Sequence, residues 1–206
     1  MKLSKTISLT LLSLTLGSYL HAQDIQSLAG TWQFSLDPAD QGMKENWQDR
    51  SFDKTIALPG TTDEAQYGGK TSGSDFGILT RAYKYYGPAW YSREIEIPSE
   101  WNGKRIRMEL ERVLWESRVF VDGKEVSVQD ALSTPHWHDL GYLTPGKHQL
   151  TVRVDNRKRY DITVNDMAHA YTNETQIMWN GIIGEISLTA KEALSIEDLQ
   201  VYPDVT

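Results

Sequence analysis

An all-β sandwich is the fold class this sequence predicts, on three observations. Within residues 87–123 the side chains alternate with a period of two. Tyr91, Arg93, Ile95 and Ile97 are set against Ser92, Glu94 and Glu96, and Ile106, Met108 and Leu110 against Arg105, Arg107 and Glu109. That period turns one face of each segment toward a core and the other toward water. Turn residues punctuate the segments at Pro98, Asn102-Gly103 and Asp122-Gly123, and Asp-Gly tolerates the two positive φ values of a tight hairpin. No long amphipathic helix and no internal repeat interrupts the pattern, so short strands with turns between them remain, as in a sandwich.

The elements follow in order. After a short lead-in over 23–28, residues 30–37 open the domain as a strand with Trp32, Phe34 and Leu36 on one face. Residues 37–52 hold Trp47 and Phe52 in a polar setting, and Ile56-Ala57-Leu58 form a strand that Pro59-Gly60 ends. From 61 to 87 the chain is rich in glycine, serine and threonine, lacks a strand period and then carries Arg81, Tyr83, Tyr85 and Tyr86. A long irregular stretch of this kind in a compact domain is a candidate binding loop. Residues 119–121 are apolar on both faces, which predicts a central strand covered from both sides. Val126 and Val128 continue beyond the hairpin, and Trp137 begins another strand. His148, Leu150, Val152 and Val154 then alternate with Gln149, Thr151 and Arg153 as far as Asp155-Asn156. A second irregular stretch spans 157–179, after which Ile186, Leu188 and Ala190 point inward from the last strand.

The chain has 206 residues, 39% hydrophobic and 24% charged, which suits one domain with a proper core. Residues 1–22 stand apart. Lys2 and Lys5 precede an apolar run, and Ala22 offers a small residue for cleavage, so this segment reads as a secretory signal peptide and the domain as 23–206, in the periplasm or secreted. No other segment approaches the roughly 20 apolar residues of a spanning helix, so no membrane partner is expected. Losing the two lysines takes the net charge from −7 to −9, a balance that repels phosphate backbones and argues against nucleic acid. The absence of cysteine rules out disulfides, thiolate metal sites and a cysteine-linked lipid.

Candidate chemistry is sparse. Glycoside cleavage needs two carboxylates about 5 to 10 Å apart, and Glu94, Glu96, Glu109 and Glu111 fall instead on the solvent phase of their strands. No catalytic acid is assigned. His136 and His138 share a strand face and could in principle meet His148 and His169 around zinc, but two histidines do not make a site. The loop acids Asp63, Glu64, Asp75, Asp161 and Asp166 match no calcium-loop spacing. No metal and no cofactor is expected. Seven Trp and ten Tyr are the better clue, because flat rings with polar edges suit sugar faces. Trp32, Trp90, Trp101 and Trp115 read as packing, whereas Trp137 and Trp179, at loop-to-strand junctions, fit either packing or contact.

In sequence order, GTWQF, LPG, GPAWYSREIEIP, WNGKRIRMEL, VFVDGKEV, Thr134-Pro135, Val152, Val154 and Asn156, and then Gly181 to Leu188 form a series that resembles the N-terminal domain of family 2 glycoside hydrolases, the β-galactosidase, β-glucuronidase and β-mannosidase group. The resemblance implies a jelly-roll β-sandwich that binds sugar, with the catalytic carboxylates in a later (β/α) barrel beyond an immunoglobulin-like domain. In that family an aspartate six residues before the glycine matching Gly181 contacts substrate. Here the position is Thr175, with Glu174 beside it. The expected substrate-binding rim is therefore Arg81 and Tyr83 from the first irregular stretch with Glu174, Thr175, Gln176, Trp179 and Asn180 from the second. A non-catalytic domain of an exported β-glycosidase, shaping a site for a β-linked glycan, is the leading expectation. A freestanding carbohydrate-binding module and a purely structural sandwich remain alternatives.

Overall fold

The computed structural model describes residues 24–74, 80–160, 178–194, 196 and 199–203. The proposed signal peptide, His169, Asp75, Asp161, Asp166, Glu174, Thr175 and Gln176 lie outside them. Among the described residues there are thirteen strands: β1 (Asp24–Ser27), β2 (Gly30–Leu36), β3 (Lys54–Leu58), β4 (Gly60–Thr61), β5 (Gly69–Lys70), β6 (Tyr83–Lys84), β7 (Pro88–Ile97), β8 (Arg105–Arg112), β9 (Glu116–Val121), β10 (Lys124–Gln129), β11 (His136–Tyr142), β12 (Gly146–Asp155) and β13 (Gly181–Lys191). Two antiparallel sheets form a jelly-roll β-sandwich. One runs β10-β9-β12-β7-β2-β3; the other runs β1-β13-β8-β11, with β4 also on β13. No helix among the described residues is long and apolar enough to cross a membrane.

The period-two faces meet between the sheets, where Trp32, Phe34, Tyr91, Met108, Leu110, Val152 and Leu188 are fully buried. The hairpin expected at Asp122-Gly123 forms, with φ of 50° and 77°. The lead-in differs from the sequence reading: β1 is an added edge strand paired to β13 from Asp24↔Ala190 to Ser27↔Ser187. So does the first irregular stretch, where β5 and β6 pair as a small ribbon.

A larger departure lies on the outer face of the six-stranded sheet. Ser92 and Thr151, on the face expected to meet water, are buried and lie 2.9 Å apart, because residues 37–53 fold back over β7, β9 and β12. Asp37 anchors this cover by accepting the N–H groups of Gln41 (2.9 Å) and Gly42 (2.8 Å) and the Trp90 indole (3.2 Å). Gly42 is required by proximity, since a Cβ there would sit 2.4 Å from Trp90 Nε1. Arg153, beneath the cover, pairs with Glu116 (3.0 Å), Asp155 (3.0 Å) and Asp40 (2.9 Å), so its buried charge is compensated. Phe120 stacks on Trp90 at 5.7 Å, which accounts for the doubly apolar stretch at 119–121. In the sheet order β9 is second from the edge rather than central.

Candidate functional site

Residues 80–87, 113–115, 130–135, 156–160 and 178–180, at one end of the sandwich, gather around a buried polar knot. Asn180 lies at its centre. The Tyr91 hydroxyl donates to Asn180 Oδ1 (2.7 Å), and Asn180 Nδ2 donates to the carbonyls of Gly87 (2.8 Å) and Val154 (3.3 Å). Asn156 holds the other side of the same glycine, accepting the Gly87 N–H (3.0 Å) and donating to the Tyr85 carbonyl (2.9 Å). Tyr85 completes the knot by donating to the Pro88 carbonyl (2.6 Å). Both tyrosines are buried, and burial raises their hydroxyls above the ordinary range, so they stay neutral donors.

This geometry corrects two members of the expected rim. Asn180 is fully buried and its amide is spent on internal partners, so it positions the loops instead of facing a sugar. Arg81 is only 6% exposed. Its guanidinium donates to the Met178 carbonyl and lies 5.2 Å from the Tyr86 ring centre, which makes it a strut between the two irregular stretches. A polar residue beside a glycine looks the same in sequence whether it turns outward or inward, and only the knot separates the two. Tyr83 is half-buried on β6, with its N–H donated to Asp63 (2.8 Å).

Trp179 is half-buried and packs, with Met178 and Leu132, against Leu114 and Trp115. It lines a cleft of about 310 Å³ whose other walls are Val113, Leu114, Leu132 and Ile183, with Glu111, Arg112, Ser133 and Thr134 as the polar groups. Apolar walls with a few placed polar groups are the usual make-up of a ligand cleft. The Glu111 carboxylate accepts the Glu185 N–H (2.7 Å), which fixes its orientation. Sequence reasoning does not single out Arg112, Leu114 or Ser133. Their available signal is position alone: Arg112 ends β8, Leu114 lies in the connection after it, and Ser133 precedes Thr134-Pro135.

His136 and His138 do share a face, but it is the inner one. The Ser117 hydroxyl bridges them across the sandwich, 2.6 Å from His136 Nδ1 and 2.9 Å from His138 Nε2. His136 Nε2 lies 2.7 Å from the Ala131 carbonyl and so must carry its proton, which leaves Nδ1 to accept from Ser117 and His138 Nε2 to donate to it. Burial lowers both imidazoles, His138 to about 3. His148 lies apart, on Asp122, and no group of three ligand-type side chains is placed for a metal among the described residues.

The fold and this end define the class first: a jelly-roll β-sandwich with a ligand-sized cleft among its connecting loops. The family model described as "Glycosyl hydrolases family 2, sugar binding domain" matches residues 25–192, and the chain belongs to that family. Among solved structures it is similar to the β-glucuronidase of Ruminococcus gnavus (20% identity, TM-score 0.61), over 81% of this chain and 28% of that one. It is also similar to a β-glucuronidase of an uncultured Clostridium sp. (21%, TM-score 0.62), over 84% and 30%. At these identities the likeness is one of fold, and the chain spans less than a third of the length of these structures.

Proposed function

We propose that this chain is the N-terminal sugar-binding domain of an exported β-glycosidase. In this reading it forms one wall of a substrate site that a downstream (β/α) barrel completes, and it leaves bond cleavage to that barrel. The observation that carries the reading is the Trp179 cleft at the loop end of a family 2 sugar-binding domain. An indole beside apolar walls suits the apolar face of a pyranose, and Arg112, Ser133 and Thr134 offer partners to its hydroxyls. The R. gnavus enzyme has been solved with D-glucaro 1,5-lactone, which supports a sugar as the class of substrate. A β-linked glycan is the proposed ligand, and the immunoglobulin-like and barrel domains of the same enzyme are the proposed partners.

The test is Trp179→Ala in the polypeptide that carries the barrel. The expected outcome is a raised KM or a lowered kcat on an aryl β-glycoside, with the melting temperature nearly unchanged. A melting temperature lower by many degrees, with wild-type kinetics in the surviving folded enzyme, would assign Trp179 to packing and overturn the reading. Export is tested separately by intact mass: a mature product should begin at Gln23, and one retaining residues 1–22 would refute it.

A further inference from the structure

We propose that the outer face of the six-stranded sheet carries a second glycan site, independent of any barrel, on a ledge where the cover formed by residues 37–53 stops. The cover buries the outer faces of β7, β9 and β12, including Trp90, Phe120 and Thr151, but leaves those of β2 and β3 bare at Thr31, Gln33, Thr55 and Ala57. At the step between the two regions is a cleft of about 240 Å³, with Trp47 and Phe52 among its lining, Ser35 on the β2 side and Arg50, Asp53 and Lys54 around them. The two rings are half-buried, 6.2 Å apart and inclined at 56°.

The wall is held before any ligand arrives. Trp47 packs on Trp90 at 6.3 Å and donates its indole N–H to Glu45 (3.0 Å), and the Phe52 N–H is held by the Gln33 side chain (3.1 Å). Such preorganisation lowers the ordering cost of binding. The cations near the cleft are already engaged: Arg50 pairs with Glu45 (3.3 Å) and lies 5.7 Å from the Trp47 ring centre, and Lys54 lies 5.4 Å from the Tyr67 ring centre. An aromatic wall beside hydroxyl groups, with its cations occupied, fits a neutral pyranose: ring face on Phe52, hydroxyls on Ser35 and Ser51, with Gln33 holding Phe52 in place. A polyanionic glycan would also meet the net charge of −7. The Trp179 cleft is lined from β8 and β13 of the opposite sheet. Only the class of ligand is shared with the proposed function.

The experiment titrates the chain with neutral β-1,4-linked tetrasaccharides of glucose, xylose, mannose and galactose, read by ¹H–¹⁵N NMR. At least one should shift the Trp47 indole and the Ser35 and Phe52 amides saturably. Phe52→Ala and Gln33→Ala should each weaken that binding about tenfold, and Trp179→Ala should leave it unchanged. Gln33 is exposed, so its variant keeps the fold and tests the site even if Phe52→Ala does not. No shift at millimolar sugar, wild-type affinity in Gln33→Ala, or shifts that vanish with Trp179→Ala would each overturn the ledge. A Trp179 effect on hydrolysis without ledge binding removes the ledge alone, and ledge binding without that effect removes the first reading alone.

Discussion

The two ends of this sandwich are closed by different interactions. At one end the connections 98–104, 122–123 and 143–145 are short, and a single histidine clasps two of them. His148 Nδ1 meets the Asp122 carboxylate (2.6 Å) and Nε2 the Thr144 carbonyl (2.7 Å), while Asp122 also accepts the Gln149 N–H (2.8 Å). At the other end lies the long connection from β12 to β13, and the ties there come from buried side chains in distant parts of the chain. Asn180 reaches Tyr91 across 89 positions, and Arg81 reaches Met178 across 97. The difference teaches how this fold divides its work. Short turns close by local backbone preference, whereas long loops lose more conformational entropy on ordering and hold a shape only when buried polar bonds define it. The end that costs more to order is the one with the ligand-sized cleft.

The comparison is broken most forcefully by Asn180→Ala. It orphans the Tyr91 hydroxyl and the Gly87 carbonyl, and at about 1 to 3 kcal/mol for each buried unsatisfied group the loss should be about 2 kcal/mol or more. Urea unfolding measures it, and a loss under about 1 kcal/mol would show that the knot does not hold the loop end.

Acid should act next, and with opposite sign at the two histidine centres. His136 and His138 are held neutral by burial, so their contribution is complete above the ordinary histidine value of about 6.5 and is lost as pH falls from there toward about 3 for His138. The slope is at most about 1.4 kcal/mol per pH unit for each ring. His138→Gln keeps a donor for Ser117 but cannot titrate, so its urea midpoint should vary less between pH 7 and 4.5 than the wild-type one. An unchanged slope would mean that other groups govern acid unfolding.

The smallest effect belongs to the clasp. Partial burial opposes the charge on His148, but hydrogen bonds to Asp122 and Thr144 and the Asp122 carboxylate raise its pKa. Its contribution is therefore complete below about 6.5 and is lost as pH rises through the raised value. Because Asp122 is exposed, Asp122→Asn should cost under about 1 kcal/mol near pH 5.5 and less at pH 9. An equal cost at both values would show that the clasp works through the backbone bond to Gln149 alone.

Much of the sandwich was legible because its signal is local. Ile106, Met108 and Leu110 alternate with charged residues and face the core, and Asp122-Gly123 turns as its composition requires. Trp32, Trp90, Trp101 and Trp115 are buried, as the reading of them as packing expects. Trp90 is the instructive case, since it points to the outer face and owes its burial to residues 37–53, which carry no strand period. The same cover hides Ser92 and Thr151, whose alternation alone predicts exposure. Of the candidate site, Trp179 of the second irregular stretch was singled out from the sequence, but the roles of its neighbours were not legible.

The sequence by itself determined the all-β class, the core faces, the tight hairpin and the resemblance to family 2 sugar-binding domains, because period, turn chemistry and motif order are properties of neighbouring residues. Only the tertiary structure decided that Asn180 and Arg81 brace the loops, that His136 and His138 share Ser117, and that the cover stops short of β2 and β3. Each of those depends on which group, dozens of residues away, satisfies a buried donor or acceptor. A polar side chain has no role of its own until folding supplies that partner.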